Sequence, residues 1–443
     1  MKALRIHAGP RAREHLEQHG LQPRDVGVIP GAAGGPKGLI LGPLDRFIFG
    51  QWLSQSDQPV HLVGASIGAW RMATACLQDS VTAFERLEHD YIHQHYDLPP
   101  GKKRPTAAHV SERFGKSLEA FYGGRVDEVL SHPRYRLHIV TSRGRHLLRR
   151  EHGLATPLGY LGAFLTNTVH RKALGAWLER VVFSSPEGAG GNGAASTHTH
   201  SAGSSNATGC AVSALACAAL PFGTSDYRTR QVALSAANFM PALQASCSIP
   251  FVLQAVHNIP GAPRGAYWDG GITDYHLHLA YGQQAQAQLQ LNMHLTTQER
   301  SGAQALVQAD VADGAMDLIA GSAIAEGGSG HKDTDNAMFP SPGLVLYPHF
   351  QHSVVPGWLD KGLKWRHRST AALDNMVVLS PSPEWVRSLP NAKLPDRNDF
   401  THYGTDSAAR AKAWLTATRA SQQLVDEWAA WLERPDMARV GVL

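Results

Sequence analysis

The sequence predicts an α/β fold, a three-layer sandwich with a mainly parallel central sheet, and three observations predict it. Two short apolar runs, Asp25 to Pro30 and Pro59 to Gly64, each lead into a glycine-containing turn and then into apolar residues at helical spacing. This is the strand, turn, helix order of a parallel sheet, whose strands read as apolar runs because both faces are buried. The second turn, Gly64-Ala65-Ser66-Ile67-Gly68, sets a serine between strand and helix. In such folds reactive groups gather at the carboxyl ends of strands. The composition permits the fold, since 443 residues with 43% apolar and 18% charged side chains can bury a full core.

The elements follow in order. Residues 1–24 read as a lead-in, and the first strand ends in the turn Gly31 to Gly38. Ile40, Leu44, Phe47, Ile48 and Trp52 then recur at helical spacing, with Pro43 tolerable only near a first turn. After the second strand, Ile67, Met72, Cys76 and Leu77 mark a helix that Val81, Phe84, Leu87 and Tyr91 extend, and Tyr135 to Val140 is the next strand. Residues 186–209, almost wholly Gly, Ala, Ser, Thr, Asn and His, read as a mobile insertion within a core spanning 25–281. A second low-complexity insertion spans 282–342. Residues 343–443 then supply the strand Leu344 to Tyr347 and a long amphipathic helix marked by Leu415, Leu424, Val425, Trp428 and Leu432, completing the same domain.

Several function classes drop out on composition. A net charge of +4, with only short clusters at Lys102-Lys103-Arg104 and Arg149-Arg150, is no nucleic-acid footprint. No signal core or membrane-length apolar run occurs, and the four cysteines, Cys76, Cys210, Cys217 and Cys247, are widely spaced, so a reducing cytoplasm is expected. The 24 histidines form the pairs His15/His19, His198/His200, His276/His278 and His349/His352, but no acidic or cysteine ligands complete a set. They read as scattered surface histidines, and no metal or cofactor is expected.

Three motifs carry chemistry. A serine with glycines two positions either side suits a nucleophile elbow, because a strained turn that exposes Oγ leaves no room for bulky neighbours. The bland alternative is a tight turn with an idle serine. Gly31-Ala32-Ala33-Gly34-Gly35-Pro36-Lys37-Gly38 nearly fits a Walker loop, but Pro36 replaces the glycine before Lys37 and Gly38 replaces the magnesium-binding hydroxyl. It also lacks the Rossmann glycine spacing. The remaining reading is an oxyanion hole, with backbone N–H groups aimed at the charge on an attacked carbonyl. Gly34, Gly35, Lys37 and Gly38 are its candidates, and because Pro36 has no N–H the expected donors are Gly35, Lys37 and Gly38. Tyr267-Trp268-Asp269-Gly270-Gly271 supplies a carboxylate base in a turn.

With these three motifs in this order, the sequence resembles the patatin-like phospholipase family, whose members combine a Gly-Gly-x-Arg/Lys-Gly loop, a Gly-x-Ser-x-Gly nucleophile and an Asp-Gly-Gly/Ala turn. Ala245-Ser246-Cys247-Ser248-Ile249-Pro250 is similar to that family's Ala-Ser-x-x-x-Pro segment. The resemblance covers roughly Asp25 to His278, and Gly31-Ala32-Ala33 departs from the usual acidic, glycine-rich start of the loop. It implies a patatin-like fold, a Ser66/Asp269 dyad, and hydrolysis of a phospholipid, lysophospholipid or neutral glyceride through an acyl-Ser66 intermediate. Lys37 is left with two roles, fixing the turn or drawing in a phosphate head group. The competing readings are a Ser/His/Asp triad, using His276, His278, His349 or His352 with Asp269 or Asp274, and a non-catalytic lipid-binding protein on the same fold. The segment Val354 to Arg366 interleaves Trp358 and Trp365 with Lys and Arg, which suits peripheral membrane contact or, alternatively, tryptophans packed inward.

Overall fold

The computed structural model describes residues 2–95, 105–187, 217–281 and 343–443. The low-complexity insertion 282–342, and the expected mobile insertion from residue 188 onward, lie outside the described residues.

The strands are β1 (Leu4–Ala8), β2 (Val26–Gly31), β3 (Val60–Ala65), β4 (Tyr135–Gly144), β5 (Leu178–Ser184), β6 (Arg230–Ala233), β7 (Val256–His257), β8 (Ala266–Asp269), β9 (Leu344–Pro348), β10 (Met376–Pro381) and β11 (Val440–Val442). They form one sheet in the order β11-β1-β10-β9-β2-β3-β4-β5-β6, with β8 paired to β4 and β7. The centre, from β10 through β9, β2 and β3 to β4, is parallel. Antiparallel pairs join β1 to β10 and join β5 and β8 to β4. The fold is therefore the expected three-layer α/β arrangement, a mostly parallel sheet flanked by helices. No helix among the described residues is long and apolar enough to cross a membrane.

The helices preceding the C-terminal strands are α1 (Pro10–His19), α2 (Gly42–Phe47), α3 (Ile67–Ala75), α4 (Ser80–His93), α5 (Ala107–Tyr122), α6 (Val126–Leu130), α7 (Ala155–Val169) and α8 (Ala236–Cys247). Residues 1–24, read as a lead-in, in fact supply α1 and the strand β1, which lies between β10 and β11. The helical spacing over 38–52 resolves into three pieces: a 3₁₀ helix at Gly35–Leu41, α2, and a π-type turn at Ile48–Trp52. Proline explains the first break, because Pro43 lacks an N–H and fits only in the first turn of α2. The bidentate pair of Arg71 on Asp45, at 2.7 Å for each bond, then ties α2 to α3 deep in the protein.

The expected long C-terminal helix is two, Ser407–Ala420 and Gln422–Glu433. They part at Ser421, whose hydroxyl bonds back to the Thr418 carbonyl at 2.6 Å, a bond that competes with the helical ladder. The surface reading of the histidines is also corrected, since His15, His138, His276 and His349 are buried. Neutral imidazoles tolerate burial when a ring nitrogen finds a partner. Val355 N–H donates to His276 Nδ1 at 3.0 Å, for example, and burial holds the His276 pKa well below the ordinary range.

Candidate active site

β3 ends at Ala65 and α3 begins at Ile67, so Ser66 alone makes the turn, with φ 58° and ψ −131°. A non-glycine residue held there stores on the order of 1–3 kcal/mol of strain. The surroundings fix it. The Ser66 N–H donates to Ser246 Oγ at 3.0 Å, and its carbonyl accepts the Ala69 N–H at 2.9 Å. The motif's second glycine is required by close approach: a Cβ on Gly68 would lie 1.8 Å from the carbonyl oxygen of Gly31. The elbow is thus pressed against the end of β2, where the glycine-rich loop begins.

Strand register brings the carboxylate to the serine. Ala65 at the end of β3 is paired with Val140, and Asp269 at the end of β8 with Thr141, the next residue of β4. β3 runs parallel to β4 and β8 runs antiparallel, so their carboxyl ends meet. Asp269 is 5% exposed and accepts the Gly271 N–H at 2.7 Å. Burial raises its pKa above the usual carboxylate value, while the Ser66 hydroxyl, the Arg397 charge and the Gly271 N–H pull the other way. Its own N–H donates to the Ser248 carbonyl at 2.9 Å. The segment that ends α8 therefore holds both backbones, Ser66 through Ser246 and Asp269 through Ser248. Between them Cys247 is buried, and burial raises its thiol well above its ordinary pKa.

The glycine loop reaches the same place with a changed set of donors. Gly34 caps the 3₁₀ helix, and i to i+3 bonding commits the Lys37 and Gly38 amides to the carbonyls of Gly34 and Gly35. The uncommitted amides are those of Gly34 and Gly35, not the expected trio of Gly35, Lys37 and Gly38. Gly34 and the Lys37 side chain line a cleft of about 670 Å³, open to solvent, together with Ser66, Asp269, Tyr275 and Trp358. Gly35 and Gly38 line a smaller cavity beside Ile67 and Arg71. One donor escaped the sequence reading: Ile67, first residue of α3, has an N–H with no intrahelical acceptor. The elbow motif itself could have found it.

The histidines of the triad alternative face other partners. His278 bonds the Val354 carbonyl at 2.9 Å and Thr370 Oγ1 at 2.8 Å, and His349 bonds the Gln351 carbonyl. His276 Nδ1 accepts the Val355 N–H at 3.0 Å. The His352 ring lies 4.0 Å from that of His7. Asp274 is held by Arg180 through bonds of 2.7 and 2.6 Å.

Two further features were not read from the sequence. Lys361 and Arg397, far apart in the chain, both line the Ser66 cleft. The helix α7 carries no Asp, Glu, Lys or Arg and exposes Leu158, Leu161, Phe164, Leu165 and Val169, with Leu154 just before it. Its lack of charge over fifteen residues was the available signal. Of the two tryptophans singled out for membrane contact, Trp358 is half-buried at the cleft and Trp365 is 62% exposed.

The family model for patatin-like phospholipase matches residues 33–277, more than half of the chain. The chain belongs to the patatin-like phospholipase family. No curated protein and no solved structure matches it. Patatin-like phospholipases are in general lipid acyl hydrolases. The matched region includes Gly34, Ser66, Ser246 and Asp269, whereas Trp358, Lys361 and Arg397 come from the part of the chain beyond it.

Proposed function

We propose that this protein is a serine hydrolase of lipid-like acyl esters that works through a Ser66/Asp269 dyad. The observation that carries the reading is that Ser66, in a strained elbow, and the buried carboxylate of Asp269 line one cleft where the ends of β3 and β8 meet. An ordinary aspartate is a weak base toward a hydroxyl, and burial makes Asp269 a better one.

In the first step Asp269 takes the hydroxyl proton as Ser66 Oγ bonds to the ester carbonyl carbon. The carbonyl oxygen becomes an oxyanion facing the Gly34, Gly35 and Ile67 amides, with the positive end of α3 behind them. As the intermediate collapses, the ester C–O bond breaks, the departing alcohol takes the proton from Asp269, and acyl-Ser66 remains. Water then attacks with Asp269 again as base, and Ser66 recovers its proton as the carboxylic acid leaves. The other bonds of His276, His278 and His349, and the pairing of Asp274 with Arg180, favour this dyad over a triad.

The substrate enters from an interface in this reading, with peripheral membrane contact through Trp365 and the uncharged face of α7. Support comes from continuity with the cleft: Tyr160 on α7 lies 5.9 Å from exposed Phe251 and 6.0 Å from Trp268, the neighbour of Asp269. Asp360 joins α7 to the Trp365 segment by accepting from Asn167, Arg171 and Arg366 at 2.8 Å each. Trp358 serves the cleft rather than the membrane. The unpaired Cys76, Cys217 and Cys247 support a reducing compartment such as the cytoplasm.

The test is hydrolysis of phospholipid, lysophospholipid and neutral glyceride esters by the wild type and Ser66→Ala, with fluorophosphonate labelling in parallel. Turnover and labelling that both vanish in Ser66→Ala are expected. A wild type that neither labels nor hydrolyses any ester would leave the non-catalytic lipid-binding reading.

A further inference from the structure

Three cations, Lys37, Lys361 and Arg397, line the Ser66 cleft, and none of them is within salt-bridge distance of a carboxylate among the described residues. The two acidic groups of the cleft are otherwise engaged. Asp269 accepts the Gly271 N–H and lies beside Ser66 in the cleft, and Asp396 is paired with Lys393 at 2.9 Å. Holding like charges together in a partly enclosed cleft is unfavourable unless a counter-anion is present for part of the working cycle. Burial, and after it the charges of Arg397 and Lys37, lower the Lys361 pKa to about 8, with the Asp269 charge opposing.

The aromatic surfaces of the cleft sharpen the choice of anion. Lys361 lies 3.9 Å from the Tyr275 ring centroid and 5.8 Å from that of Trp358. Those faces are what a quaternary ammonium would need, and the protein's own Lys361 occupies them. A zwitterionic head group would bring a fourth cation to a site already holding three. A phosphate monoester brings only negative charge and several acceptor oxygens.

We infer that Lys37, Lys361 and Arg397 form an anion receptor at the mouth of the Ser66 cleft, selecting acyl esters whose alcohol half carries a phosphate monoester over zwitterionic and neutral esters. This rests on the hydrolase reading and narrows its substrate class. Lys361 and Arg397 lie outside residues 33–277 and Lys37 within them, so the matched region alone does not make the receptor.

The experiment compares kcat/KM for three esters of one acyl chain: an acylglycerol phosphate, the corresponding phosphocholine ester and the uncharged monoacylglycerol. The wild type is expected to favour the phosphate ester by about tenfold or more over either competitor. That ratio should fall by about tenfold in Lys361→Ala and in Arg397→Ala, chiefly through KM, and Lys361→Arg should restore it. Inorganic phosphate provides a second arm that needs no turnover: at millimolar concentration it should raise the melting temperature of the wild type and not of the Lys361→Ala/Arg397→Ala variant. A wild type that cleaves all three esters equally, with Ser66 required, overturns the receptor while leaving the hydrolase standing. So does loss of kcat/KM in the variants by the same factor for every ester. If no ester is cleaved and Ser66 does not label, the hydrolase reading fails, and the phosphate arm still decides the receptor.

Discussion

Ser246 Oγ accepts the Ser66 N–H at 3.0 Å and donates to the Val140 carbonyl at 2.7 Å, so one hydroxyl pins the Ser66 backbone to the central strand β4. Ser246→Ala leaves a buried N–H and a buried carbonyl without this partner. The expected cost is about 1–3 kcal/mol of stability. In addition, kcat should drop by at least tenfold as the elbow relaxes, with KM little changed. Chemical unfolding and steady-state kinetics check the two effects separately.

The strain at Ser66 gives a second expectation. Glycine adopts φ near 58° readily and alanine does not, so Ser66→Gly should be more stable than Ser66→Ala, by about 1 kcal/mol once glycine's greater entropy is offset. Both are inactive. Urea midpoints of the two variants decide it, and a more stable alanine variant would mean that the elbow carries no strain.

A buried pair supports the elbow from behind. Arg71 on α3 is bound by Asp45 on α2, and both side chains are almost wholly buried. Arg71→Met would strand the Asp45 carboxylate, and a loss of about 3–5 kcal/mol is expected from denaturant unfolding.

The raised pKa of Asp269 has two consequences for pH. Turnover of an uncharged ester needs the carboxylate ionised, so kcat/KM should fall on acidification at a pH above the ordinary aspartate value of about 3.9. For stability the sign is opposite: between the unfolded and folded pKa values the native state binds more protons, so its stability declines as pH rises across that window. Asp269→Asn should remove this decline. A pH series of melting temperatures for wild type and Asp269→Asn measures it.

The exposed face of α7 predicts interfacial behaviour. Replacing Leu158 and Leu165, 61% and 55% exposed, by glutamate should weaken binding to anionic vesicles by at least tenfold and slow hydrolysis of vesicle-borne ester. Hydrolysis of a soluble short-chain ester by the same variant measures the intact cleft. Unchanged vesicle binding would reject the face as a contact.

Much of the fold's centre was legible because β2 and β3 are short apolar runs ending in glycines, a local signature of buried parallel strands. β8 was not, since a four-residue strand is defined by its partner β4 rather than by its own pattern. β1 was legible in principle and passed over, since Leu4–Ala8 alternates apolar residues with Arg5 and His7, the period-two pattern of a half-buried strand. At the site, Ser66 and Asp269 stood out because their turns demand glycine. The donor amides did not, because hydrogen bonding within the 3₁₀ helix decides which of them remain free. Lys361 and Arg397 were invisible for another reason: isolated cations in loops acquire meaning only when the fold brings them to one cleft.

The most direct test of the dyad is the rate of fluorophosphonate labelling of Ser66 in Asp269→Asn and in His276→Gln, His278→Gln, His349→Gln and His352→Gln, each checked for folding. The dyad predicts that Asp269→Asn reduces the rate by about a thousandfold or more while every folded histidine variant labels within a few-fold of the wild type. Rapid labelling of Asp269→Asn, or its loss in any one folded histidine variant, would contradict it.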